Sequence, residues 1–193
     1  MSALNNALNA VELDGLTKAY GEFKRASNMS VRLGALKALV DAHAELADAA
    51  LVRFHAEFKD DPLVIDKWFA LQATAPEKDG RVFARAKALT RLREFVITNP
   101  NRARSLLYSL MAYNPAAFHR IDAAGYVFWA DRVIELDSIN PQLASRIARV
   151  MDRWSDLAEP YRSAAREAIA RVAARPELSN DLREIVSHAL EAA

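Results

Sequence analysis

Three Asn-Pro steps, Asn99-Pro100, Asn114-Pro115 and Asn140-Pro141, interrupt a chain whose apolar residues otherwise recur at helical spacing. An Asn just ahead of a helix offers a side-chain acceptor for the N–H groups that the first turn leaves unpaired. A Pro in the next position brings a φ already set for that turn. Pro also disfavours the helical region in the residue before it, so each step closes one helix and opens another. Asp61-Pro62 and Glu159-Pro160 are related forms, and Ser179-Asn180-Asp181 offers a cap without Pro.

Between the breaks the stripes are regular. Leu143, Ile147, Val150, Met151, Trp154 and Leu157 fall on one face of an α-helix, as do Leu46, Ala50, Phe54 and Phe58. Leu106, Leu107, Leu110 and Met111 form another stripe, and Leu182, Ile185, Val186, Ala189 and Leu190 a further one. Strand-type alternation is missing. The pattern predicts helices near residues 3–25, 29–42, 44–59, 62–74, 80–93, 100–112, 125–137, 141–155, 160–174 and 180–191, with one extra turn inside 113–124. Short loops between amphipathic helices make antiparallel neighbours. The expected fold is all-α, an irregular HEAT- or armadillo-like α-solenoid of about nine to ten short antiparallel helices. It lacks a strict repeat, since the Asn-Pro steps lie 15 and then 26 residues apart. The chain is expected to form a single α-helical domain over 1–193, with residues 1–27 the least distinctive part.

Composition narrows the function classes. Of 193 residues, 52% are hydrophobic and 26% charged, which suits a globular chain with a real core. Twenty-six basic and 25 acidic residues leave a formal charge of +1, so no global cationic field would hold nucleic acid or an anionic membrane surface. No run approaches the roughly 20 apolar residues needed to cross a bilayer. The basic set is 19 Arg and 7 Lys, a bias that fits either GC-rich codon usage or a need for forked, bidentate donors. With no Cys, a disulfide framework, a thiol nucleophile and a Cys-based zinc site are excluded. The N-terminus lacks the basic start and apolar stretch of a signal peptide, and a cytoplasmic location is expected.

The motifs of catalysis are missing too. His43, His55, His119 and His188 are each followed by Ala or Arg, and no two are four residues apart. The zinc motif H-E-x-x-H needs two imidazoles on successive turns of one helical face, so it is excluded. There is no G-x-x-x-x-G-K-[ST] or G-x-G-x-x-G loop to cradle phosphate, and no G-x-S-x-G elbow to present a nucleophile. No catalytic residue, metal ligand or cofactor-binding residue is assigned, and the histidines are read as structural or surface groups.

Three polar features remain. Asn99 to Ser105 places Arg102 and Arg104 in the first turn of a helix, where the dipole disfavours cations. Either water screens them, or they and the free N–H groups greet an anion or a carbonyl-rich partner. In the helix that starts at Asn140, Gln142, Arg146, Arg149 and Arg153 fall along one flank of the apolar stripe. They form either a solvated edge whose stems cover the core or a polar wall facing a partner. Asp66, Lys67, Trp68 and Phe69 are read as a packed interface.

Several of these segments, in this order, resemble the C-terminal helical domain of bacterial aminopeptidase N. They are Asp66-Lys67-Trp68-Phe69 with Leu71-Gln72-Ala73-Thr74, Asn99 to Leu106, Asn114 to His119, Gly125-Tyr126, and Asn140 to Arg146. The likeness runs from about Asn28 to the C-terminus. The resemblance implies a non-catalytic α-solenoid that closes over a zinc-dependent peptidase domain, its partner upstream in the same polypeptide. It implies that zinc belongs to that domain, and that this part lines a cavity holding the peptide substrate. By the same resemblance Arg104 and Arg146 project into the cavity and Gln142 lies on the same wall, whereas Arg102, Arg149 and Arg153 receive no role. An apolar patch is expected where the catalytic domain docks. The alternative is a free-standing helical-repeat scaffold for protein–protein interaction.

Overall fold

The computed structural model describes residues 3–191, with side chains from residue 12 onward. Helices and short connections account for all of that range, with no strand among the described residues. The chain begins with α1 (Ala3–Arg25), α2 (Met29–Asp41), α3 (Ala47–Phe58), α4 (Pro62–Ala73) and α5 (Arg81–Leu89). A continuous helix follows, made of α6 (Pro100–Ala103), a π-helical segment (Arg104–Tyr108) and α7 (Ser109–Tyr113). Then come the single turn α8 (Pro115–Phe118), α9 (Ala124–Asp137), α10 (Pro141–Ala148), α11 (Tyr161–Ala173) and α12 (Asn180–Glu191).

The Asn-Pro and Asp-Pro steps cap these helices as their chemistry requires. Asn99 accepts from the N–H groups of Asn101 and Arg102, Asn114 from Ala117, Asn140 from Leu143 and Asp61 from Val64. Three differences from the sequence pattern stand out. The helix expected over 80–93 is α-helical only for Arg81–Leu89, and its start is capped from outside. Glu77 accepts from the N–H groups of Val82 and Phe83. The helix expected over 44–59 starts later, at Ala47, because His43 turns the chain with a φ of 50°. The stripe from Leu143 to Leu157 is α-helical only to Ala148 and continues as tighter 3₁₀ turns at Arg149–Met151 and Trp154–Asp156. Arg149 and Arg153 therefore leave the straight flank that a uniform helix would give them.

The helices stack in two layers. α9 packs on α10 and α11 on α12, while α9 also meets α11 and α10 also meets α12. That is the pair-on-pair arrangement of a HEAT or armadillo solenoid. Upstream, α4 is the central element, touching α2, α3, α5 and the helix that runs from α6 to α7. Buried apolar residues form one continuous cluster from Phe23 to Ala189. Large apolar side chains also stay exposed, among them Val52, Leu63, Tyr113 and Ile121.

All three tryptophans stitch one helix to another through the indole N–H. Trp68 donates to the Leu51 carbonyl, Trp129 to Ile147 and Trp154 to Ala189. A buried indole needs such an acceptor, and here it fixes the depth of packing along each partner helix. Between α8 and α9 the backbones approach so closely that only Gly fits. A Cβ on Gly125 would stand 1.9 Å from the Phe118 carbonyl oxygen.

The strongest polar tie lies between α4 and α6. Arg102 Nε donates to Asp66 Oδ1 at 2.5 Å, with side chains only 8% and 12% exposed. The same guanidinium bonds the Glu94 carbonyl and lies 5.1 Å from the centre of the Phe69 ring. This corrects the solvent- or anion-facing readings of Arg102: it is a core residue. Breaking a buried pair leaves one charge unpaired. Arg102→Met alone should therefore lower stability by about 3–5 kcal/mol. Arg102→Met with Asp66→Leu should recover most of that loss, as read from urea midpoints. A double variant as unstable as the single one would show that the pair does not act as a unit.

Candidate functional site

The three residues assigned to the cavity lie on the helix containing the π segment (Arg104) and on α10 (Gln142 and Arg146). Arg104 opens the π segment and is exposed, while Leu106 and Leu107 beside it are fully buried. Tyr108, four residues on and half-buried, shares the solvent side of the helix with Arg104. On α10, Gln142 and Arg146 are both exposed and one turn apart, while Leu143 and Ile147 enter the core. The Arg146 guanidinium sits 5.3 Å from the centre of the Tyr108 ring, so α10 and the π segment meet through this cation–π contact. Tyr108 is met edge-on by Tyr113 at 5.5 Å. No side-chain hydrogen bond joins Arg104 to Arg146 or Gln142 among the described residues.

Arg146 and Tyr108 are on the wall of a groove of about 280 Å³, together with Met111, His119, Arg149 and Val150. His119 and Val150 are shared with an adjoining space of about 260 Å³ that reaches Arg153, Trp154 and Asp156. Charge is distributed unevenly along it. Arg149 approaches Asp152 at 3.6 Å and Arg153 pairs with Asp156 at 2.9 Å. Among the described residues, neither Arg146 nor Arg104 has a carboxylate within ion-pair distance. A larger groove between α9 and α11 is lined by Arg132, Arg171, Asp131 and Glu135. There Arg171 pairs with Asp131 and Arg132 with Glu135, each at 2.6 Å, while Arg175 on the same groove has no ion-pair partner among the described residues.

Sequence reasoning missed two members of the first groove. Tyr108 had a legible signal, because it stands one turn beyond Arg104. His119 had none beyond its type. Its Nδ1 lies 2.9 Å from the Tyr126 hydroxyl, with the Phe118 ring at 5.0 Å. Burial pushes the Tyr126 hydroxyl up to about 12, so it keeps its proton at neutral pH and shares a hydrogen bond with the His119 ring.

The chain has strong relatives. A family model described as a domain of unknown function (DUF3458_C) with ARM repeats matches residues 2–191. The chain belongs to this ARM-repeat family. It is 36% identical over 177 residues to aminopeptidase N of Caulobacter vibrioides, covering 92% of this chain and 20% of that protein. It is 37% identical over 169 residues to aminopeptidase N of Escherichia coli, covering 88% of this chain and 19% of that one. The crystal structure of Legionella pneumophila aminopeptidase A in complex with aspartic acid superposes with a TM-score of 0.89 at 29% identity. That match takes in 96% of this chain and 22% of the other. The chain thus spans about a fifth of the length of the relatives it matches, and the likeness to the C-terminal helical domain of aminopeptidase N holds across nearly all of it. Among the described residues no three His, Cys, Asp or Glu side chains are grouped to hold a metal. No helix there is long and apolar enough to cross a membrane.

Burial holds the half-buried His119 below the usual histidine value of 6.5. The folded chain then binds this proton less readily than the unfolded chain, so its contribution is present above pH 6.5 and lost as pH falls through the lowered value. Thermal midpoints should fall on acidification below that pH more steeply in the wild type than in His119→Phe. Parallel pH profiles for the two would show that His119 does not carry the effect.

Proposed function

We propose that this chain is the non-catalytic C-terminal domain of a zinc-dependent aminopeptidase N, folded as one helical unit over 1–193. On this reading it closes over the catalytic domain of the same polypeptide, in the cytoplasm. Arg104, Arg146 and Gln142 line the cavity that holds the peptide. The observation that supports it best is the whole-chain match to a fifth of two aminopeptidases N, together with Arg146 left unpaired in a groove whose other arginine, Arg149, faces Asp152.

The chemistry suits positioning. A guanidinium is always charged, and its forked donors match a carboxylate or a peptide carbonyl. The histidine of the groove, His119, is turned to Tyr126. Exposed apolar residues such as Tyr113 and Ile121 would offer docking surface to the catalytic domain.

Two measurements test the proposal. The purified chain, supplied with zinc and an alanyl or leucyl chromogenic anilide, should give no turnover. Activity that scales with this chain and survives repurification would refute the non-catalytic assignment. In the full-length enzyme, Arg104→Ala and Arg146→Ala should each raise KM for peptides by roughly ten- to a hundredfold, the size of a lost charged hydrogen bond, with bound zinc unchanged. If a peptide series shows no shift for either variant, the cavity role fails and the scaffold reading gains.

A further inference from the structure

We propose that Tyr108 is a positioning residue: its ring face holds the Arg146 guanidinium in place while leaving its charge free for the C-terminal carboxylate of a bound peptide. The inference rests on the reading of the groove as a wall of the substrate cavity.

An arginine on a helix surface has four flexible side-chain torsions and no reason to keep one direction. Proteins usually fix such a group with a carboxylate, as Asp156 pairs with Arg153 in the adjoining space and Asp66 fixes Arg102 in the core. A carboxylate partner also neutralises the cation and occupies the donors that an anionic ligand would need. An aromatic face attracts a cation through its quadrupole without bringing a counter-charge. Arg146 is held in this second way, 5.3 Å from the centre of the Tyr108 ring, and no carboxylate reaches it among the described residues. It is therefore an oriented cation with its hydrogen-bond donors uncommitted to any protein anion.

Tyr108 is itself well placed to act as a platform. Its ring is braced edge-on by Tyr113 at 5.5 Å. Its backbone closes a π-helical segment whose Leu106 and Leu107 are fully buried. The same helix is pinned at its start by the Arg102–Asp66 pair. A π segment inside an α-helix changes the register of everything after it, and here the register change comes just before the residue that receives Arg146. The groove also contains no acidic side chain next to Arg146, since the carboxylates nearby are engaged with Arg149 and Arg153. A terminal carboxylate is the peptide group that best matches a lone forked cation.

The test uses the full-length enzyme that contains this domain, with a tripeptide free acid and its C-terminal amide as paired substrates. Tyr108→Leu removes the ring face and should raise KM for the free acid by roughly three- to tenfold. The kcat, the KM of the amide, the zinc content and the melting temperature should hold. Tyr108→Phe keeps the face and should stay within about twofold of wild type. Arg146→Ala should raise KM for the free acid, and adding Tyr108→Leu to it should bring no further loss. If Arg146→Ala has no effect, the cavity reading fails and this inference falls with it. If Arg146→Ala acts but Tyr108→Leu does not, the positioning role alone is overturned. Equal losses for Tyr108→Phe and Tyr108→Leu would also overturn it, because they would place the effect on the hydroxyl. An amide affected as much as the acid would overturn the carboxylate assignment.

Discussion

The buried pair between Arg102 and Asp66 sets the geometry on which the groove depends. Arg102 and Arg104 are two residues apart, which is about 200° around a helix. Drawing Arg102 into the core against Asp66 and Phe69 therefore turns Arg104 outward, and Tyr108 one turn later follows it. The Glu94 carbonyl takes a further donor of the same guanidinium, so the irregular stretch before α6 is tied to the same point. One charged side chain thus fixes the roll of the helix, its seat on α4 and the side it offers to α10. The pair is not expected to add much net stability over an apolar replacement. Its value lies in allowing one register and penalising others.

Polar side chains do similar work at the other junctions. Asn114 donates to the carbonyls of both Ala73 and Ala75 while capping α8, so the end of α4 and the start of α8 share one buried amide. Asp137 takes the hydroxyl and the N–H of Ser179, and Ser179 then caps α12 at Leu182. A solenoid makes such ties necessary, because each helix pair touches only its neighbours and a small rotation at one junction carries into the next.

What could be read in the sequence followed from local physics. Asn99, Asn114, Asn140 and Asp61 signalled helix starts because a cap and its target N–H groups lie within three residues. Apolar stripes located the core for the same reason. What escaped was non-local or depended on subtle helix winding. Nothing near Arg102 announces a partner 36 residues away, so its position in a first turn suggested solvent. Glu77 caps α5 across a loop that bends at Asp79 and Gly80, which spacing alone does not show. The π segment and the 3₁₀ turns after Ala148 have the same apolar pattern as an α-helix. They moved Arg149 and Arg153 off the expected flank while leaving Gln142 and Arg146 together. The roles given to Arg104, Arg146 and Gln142 came from the family resemblance, since an exposed arginine looks the same in sequence whether solvated or functional. The position of Tyr108 one turn beyond Arg104 was legible, but its contact with Arg146 needed α10 and the π segment to be seen together.

Leaving Arg146 without a carboxylate has little effect on folding, because an exposed ion pair contributes only about 0–1 kcal/mol. The balance changes if another domain closes over the groove. Water that screened the guanidinium is then expelled, the effective dielectric falls, and an unpaired cation becomes unfavourable unless an anion enters with it. A closed cavity would thus favour the occupant whose charge completes Arg146, with the strength of that preference set by how fully the cavity excludes water. The same reasoning explains why the neighbouring arginines are paired internally. Were Arg149 and Arg153 also free, closure would bury two further uncompensated charges beside Arg146 and Arg104, and a single carboxylate could not satisfy them. Asp152 and Asp156 remove that problem, so Arg146 is the arginine of the groove left open to the negative charge of a peptide's C-terminus.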